Sequence, residues 1–136
     1  IYVSAAQEDY ADASELGDIL EASARNNAPA HITGMLLYAA GSFLQILEGE
    51  ASAVEDVFAR IAKDPRHHGV VVLEQTPINE RDFANWHMGF RMLGPTEAAA
   101  NPAYAPFFQR GFDATTIGAK PGLALDLLKE FAANLR

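Results

Sequence analysis

The sequence predicts an α+β fold in which seven elements follow one another as β-α-β-β-α-β-β, and three observations predict it. Short apolar runs that alternate with period two recur up to about Leu93, and two stretches between them carry apolar residues at helical spacing instead. Beyond Gly94 both periods fade into a Pro-, Gly- and Ala-rich stretch before one last helical stripe. "IYVSA" reads as the first strand. "DASELGDILEASARNN" places Leu16, Ile19, Leu20 and Ser23 on one helical face, and Asp12 with Glu15 has the spacing of a capping box that would start the helix. "HITGMLLYAAGSFLQILEG" predicts two strands joined by a tight turn at Ala39 to Gly41. Val54, Val57, Phe58 and Ile61 form the stripe of a second helix, with Ser52 and Glu55 as its capping box. "GVVVLEQTPI" predicts a fourth strand, apolar on both sides, and "WHMGFRML" a fifth that carries Trp86, Met88 and Phe90 on one face.

A β-α-β-β-α-β string is the ferredoxin-like split βαβ arrangement, with the fifth strand as an addition. Its first and third strands are central neighbours and both helices cover one face. The other face needs a cover, which the tail can supply. A short helix is expected at Tyr104 to Gln109, and "LALDLLKEFAANLR" carries Leu123, Leu127, Leu128 and Phe131 on one stripe. Residues 1–94 therefore read as the core domain and 95–136 as a C-terminal helical extension packing on the opposite face.

Composition narrows the function. A chain of 136 residues, 49% hydrophobic and 21% charged, can bury the core of one domain. The absence of cysteine rules out disulfides, a thiolate nucleophile and zinc–thiolate sites, and fits a cytoplasmic protein. A net charge of -8 argues against a nucleic-acid partner, and no apolar run is long enough for a membrane span. The chain opens on Ile1 directly in strand-like sequence, which points to upstream residues outside this numbering.

Several polar or aromatic residues sit where packing alone does not require them. Gln45 lies between Phe43 and Leu47 on one strand face, and a buried amide without partners costs roughly 1 to 3 kcal/mol for each unpaired group. In the predicted topology Tyr2 stands beside it. Asn26 and Asn27 end the first helix, where asparagine ordinarily serves as a C-cap, and Trp86 and Met88 alternate as packing residues do. A planar, partly polar ligand between the two helices would explain their convergence, with its rings on Ile19, Phe43 and Leu47 and its polar edge on Asn27 and Gln45. A glutamine suits that place because its amide both donates and accepts, and reverses the two roles by rotating.

The motifs "YVSAA", "LGDILEASARNN", "ITGMLLYAAGSFLQILEGE", "DPRHHGVVVL" and "RDFANWHMGF", in this order over about residues 1–93, resemble the BLUF family of blue-light sensors using FAD. The resemblance implies a non-covalent FAD, with FMN as an alternative occupant in recombinant material, held between the two helices. It implies that Tyr2 is the photoactive tyrosine, Gln45 the switching glutamine, and Asn27, with Asn26 beside it, a ligand of the flavin carbonyl edge. Asp64, Arg66 and His67 match the loop near the ribityl and phosphate tail, Arg25 approaches the phosphates more loosely, and Trp86 and Met88 match the fifth-strand pair that relays the signal. On this reading light drives an electron and then a proton from Tyr2, Gln45 rotates or tautomerises, no substrate is turned over, and a protein effector reads the change; a homo-oligomer is compatible with it. The alternatives are a light-inactive ligand-binding module of the same fold, or a small hydrolase using Arg25 or Arg66 with Asn27. The hydrolase lacks a glycine-rich phosphate loop, and the adjacent His67 and His68 lack a third metal ligand at helical spacing.

Overall fold

The computed structural model describes residues 1–7, 16–93, 111–112, 114–118 and 122–132. Strand β1 (Tyr2–Ala6) leads to helix α1 (Gly17–Asn27), the hairpin β2 (Thr33–Ala39) and β3 (Ser42–Glu48), helix α2 (Ala51–Ala62), β4 (His67–Val72) and β5 (Gly89–Met92). Helices α3 (Ala114–Gly118) and α4 (Leu123–Ala132) follow. The sheet order is β4-β1-β3-β2-β5, which is the expected ferredoxin-like order with β5 added in parallel beside β2.

The hairpin turn has two residues, Ala40 and Gly41, both with positive φ (47° and 79°), the geometry whose twist matches that of paired strands. The register that follows places Tyr2 directly opposite Gln45 and Gln45 opposite Leu36. Gly34 lies where β2 and β3 are so close that a Cβ would meet the Ile46 carbonyl oxygen at 2.1 Å.

Alternation divides the strands between two cores. Leu36, Tyr38 and Phe43 pack with Leu16 on the α1 side of the sheet. Val3, Met35, Leu37 and Leu44 pack on the opposite face against Leu127 and Leu128 of α4, which are fully buried. The tail therefore covers the back of the sheet as its stripe predicts. Arg91 stacks over the Phe131 ring at 5.9 Å, and Lys129 pairs with Asp82 at 3.2 Å.

Several expectations need correction. Helix α2 begins at Ala51 with Glu50 as its N-cap and no side-chain cap, so Ser52 lies inside the helix and its hydroxyl turns back to the Glu50 carboxylate at 3.3 Å. The fourth strand starts at His67 and stops at Val72, and the Leu73 N–H bonds the Ile1 carbonyl at 2.8 Å just beyond it. It is an edge strand, and Val71 and Val72 are 45% and 47% exposed rather than covered on both faces. The fifth strand begins at Gly89, so Trp86 and Met88 precede it. Helix α3 is absent from the sequence reading because Thr-Thr-Ile is a weak helix former; it is held by Ile117, which is 1% exposed. The Asp12–Glu15 box, the expected helix at Tyr104 to Gln109 and the boundary at Gly94 lie outside the described residues.

Candidate functional site

Tyr2 leads off β1 on the face beneath α1 and α2, and its ring packs on Phe58 of α2 at 5.4 Å. Its hydroxyl donates a short hydrogen bond to Gln45 Oε1. On the other side of the amide, Gln45 Nε2 donates to Met88 Sδ at 3.1 Å. Gln45 is 5% exposed, and its amide, set in an apolar run, is bonded between a phenol and a thioether. Burial, with a smaller contribution from the negative charge of Asp64, pushes the Tyr2 phenol well above its ordinary value and keeps it protonated.

Gln45 and Met88 wall a cleft between α1 and α2 that opens to solvent. Asn26 and Asn27 line it from the end of α1, Val57 and Ile61 from α2, and Arg60, Asp64 and Arg66 surround it from the end of α2 and the following loop. Asn27 is 3% exposed, and its Nδ2 donates to the His87 carbonyl at 2.8 Å. The helix is capped instead by the Ala28 N–H on the Ala24 carbonyl. Asp64 fixes the loop by accepting from the Arg66 backbone N–H and from Arg66 Nε, both at 2.9 Å. The Arg66 guanidinium holds the Asp64 carboxyl below the usual carboxylate range.

Other predicted residues are placed elsewhere. His67 turns inward: Nε2 faces the Ile61 carbonyl at 2.5 Å and donates to it, and Nδ1 lies 2.7 Å from Ser4 Oγ. Leu47 lines a separate hollow beside Val54 and Phe58. Phe43 packs on Tyr38, with ring centroids 5.2 Å apart. Arg25 is exposed and is not part of the cleft wall, and the Ile19 side chain lies outside what is described. Trp86 and Met88 do not share a face. Met88 packs on the α1 side, whereas Trp86 packs against the back core with its ring 6.4 Å from Phe83. They lie in an irregular segment before β5, where strand alternation does not apply.

Sequence reasoning missed Arg60, which its place beside the Val57–Ile61 stripe at the end of α2 could have signalled. It also missed Glu48, which is 2% exposed at the end of β3, where a carboxylate is rarely buried without partners.

The model for "BLUF: Sensors of blue-light using FAD" matches residues 1–89. The chain belongs to the BLUF family. Among curated proteins, this BLUF chain is 42% identical over 73 residues to the photoactivated adenylate cyclase subunit beta of Euglena longa, covering 53% of this chain and 8% of that protein. It is 34% identical over 89 residues to the subunit alpha of Euglena gracilis, covering 65% and 9%. The chain thus spans under a tenth of the length of these relatives. Among solved structures, the dark state of the BLUF protein BlrB superposes with a TM-score of 0.75 at 29% identity, over 98% of this chain and 93% of that one. The photo-activated state of BlsA gives 0.77 at 26% identity, over 99% and 93%.

FAD is the family's chromophore, and one relative, Klebsiella pneumoniae BlrP1, has been solved with FMN. The cleft fits such a group by its donor set. Asn26, Asn27 and Gln45 bring amides to it and Arg60 and Arg66 bring cationic groups, a donor set that suits a planar polar ring carrying an anionic tail. Among the described residues no helix is long and apolar enough to cross a membrane.

Proposed function

We propose that this BLUF domain is a blue-light photoreceptor that holds FAD non-covalently in the α1–α2 cleft and signals by rearranging the hydrogen bonds of Gln45. The observation that carries the reading is the Tyr2–Gln45–Met88 chain at the cleft wall. When bound, flavin supplies the blue absorption and an acceptor for one electron. Tyr2, kept neutral by burial, gives up the electron and, through its bond to Gln45 Oε1, the proton, and both return to it once the bonds around Gln45 have rearranged, so nothing is consumed. Gln45 is the switch. A thioether is a weak acceptor, so little is lost when the amide turns away from Met88, and the phenol can accept from Nε2 as readily as it donates to Oε1. Rotation exchanges the groups that Gln45 presents to Tyr2, to Met88 and to the cleft.

The response leaves the site through Met88 and its segment. We assign residues 1–94 to the photosensory unit and 95–136 to an extension whose α4 meets that segment through Lys129 and Asp82. A protein effector with different affinity for the two states reads the shift. The domain itself turns over no substrate; relatives named as adenylate cyclase subunits offer one example of what such a domain can be linked to.

The test is the visible spectrum of the purified protein in the dark, after a blue flash and during recovery. An oxidised-flavin spectrum that moves slightly to the red and relaxes is expected. Gln45→Leu should keep the flavin and lose the shift, and Tyr2→Phe should block the same photocycle. A normal photocycle in either variant overturns the roles assigned to these residues. Bound flavin that is indifferent to light overturns the photoreceptor reading in favour of a light-inactive binding module.

A further inference from the structure

The segment 81–88 that brings Met88 to Gln45 contains no helix or strand, yet it is fixed at both ends to the same strand. At its start is Glu48, whose carboxylate accepts three hydrogen bonds: Oε1 from the Thr33 hydroxyl and the Phe83 N–H, both at 3.0 Å, and Oε2 from the Asp82 N–H at 2.7 Å. Arg81 adds a bond from Nη1 to Thr33 Oγ1 at 3.0 Å. The chain then turns, with the Trp86 N–H on the Phe83 carbonyl at 3.1 Å, and crosses β2 and the end of α1. There the Gly34 N–H donates to the Trp86 carbonyl at 3.0 Å and Asn27 to the His87 carbonyl at 2.8 Å. It ends at Gln45, three positions before Glu48 on β3 and on the opposite sheet face.

We propose that Glu48 is a positioning residue for the switch: its buried carboxylate sets where segment 81–88 lies and thereby holds Met88 Sδ opposite the Gln45 amide. The proposal rests on the photocycle reading above and deepens it. A carboxylate is needed because the two backbone N–H groups address different oxygens. A glutamine there has one acceptor oxygen and would turn an N–H against a donor. The same anchor reaches the tail, since Asp82, held by its N–H, pairs through its carboxylate with Lys129 of α4.

The experiment compares full-length wild type, Glu48→Gln, Met88→Leu and the double variant. Three readouts need no light: hydrogen exchange at the Asp82 and Phe83 amides, emission of Trp86 (the chain's one tryptophan) in flavin-free protein, and the side-chain NH₂ resonances of Gln45 with FAD bound in the dark. In Glu48→Gln the two amides should lose protection, Trp86 emission should move to longer wavelength, and the Gln45 resonances should shift. Thermal recovery should change by about tenfold, equivalent to roughly 1.4 kcal/mol on its barrier. In the Met88→Leu background the same substitution should alter recovery less than about twofold, because its route to Gln45 is already cut. Should Glu48→Gln fail to fold, Thr33→Val removes one of the three donors and should move each readout in the same direction by less. Unmoved Gln45 resonances, or an undiminished effect on recovery in the Met88→Leu background, overturn the proposal. A wild-type protein with bound FAD and no light response overturns the photocycle reading, and the dark readouts then decide the positioning role alone.

Discussion

Gln45 has two partners of unequal strength, a phenol and a thioether, and the proposed switching role rests on that inequality. Tyr2 supplies the strong partner, and its burial has a consequence that can be measured without light. The folded state disfavours the charged phenolate, so the unfolded chain releases the proton first. Stability from this group is complete below the unfolded tyrosine value of about 10 and falls as pH rises from there through the raised folded value. Tyr2→Phe should remove up to about 1.4 kcal/mol per pH unit from the slope of stability against pH a unit or more above about pH 10, read by urea denaturation at stepped pH. An unchanged slope would mean that the phenol is not buried in solution. At this scale Tyr2 and Gln45 were legible from alternation along two strands plus the expected strand order. Glu48 was not, because its burial depends on donors from Asp82 and Phe83, 34 and 35 residues away.

The β2–β3 hairpin carries Gln45 and is therefore the element whose register matters most. Its turn puts Ala40 at a φ of 47°, a conformation that costs an L residue about 1 kcal/mol more than glycine. Ala40→Gly should raise the midpoint of thermal unfolding, with a gain of up to about 1 kcal/mol at constant spectrum. Gly34→Ala should do the opposite. A methyl placed 2.1 Å from the Ile46 carbonyl forces the two strands apart, at a cost of about 3 kcal/mol in denaturation, and it disturbs the Leu36–Gln45 pairing beside it. The turn and both strands were readable because a two-residue hairpin leaves a local signal. The true starts of α2 and β5 were not, since each boundary is set by pairing and loop geometry rather than by the residues at the boundary.

Over the whole molecule, one sheet separates the face that carries the cleft, under α1 and α2, from a face packed under α4. Leu128 is fully buried on the α4 face, so Leu128→Ala should cost about 3 kcal/mol in urea denaturation. It should leave the dark flavin spectrum unchanged, because the sheet lies between it and the cleft. A lost flavin spectrum in a variant that is still folded would show that the two faces are not independent. The order of elements from β1 to β5, the ferredoxin-like sheet, the α4 stripe and the neighbourhood of Tyr2 and Gln45 were all written in the local pattern of the chain. All of these rest on periods of two or 3.6 residues, which local side-chain geometry enforces. Long-range packing, by contrast, sets Met88 and Trp86 against opposite cores, His67 against Ser4 and Ile61, Leu47 in the hollow beside Val54 and Phe58, and Glu48 at the start of the 81–88 segment. Met88, Trp86 and the 81–88 segment lie in irregular backbone, which has no period to read and takes its position from hydrogen bonds to residues distant in the chain, while Leu47 and His67 sit in strands whose period gives a face but not the neighbours met there.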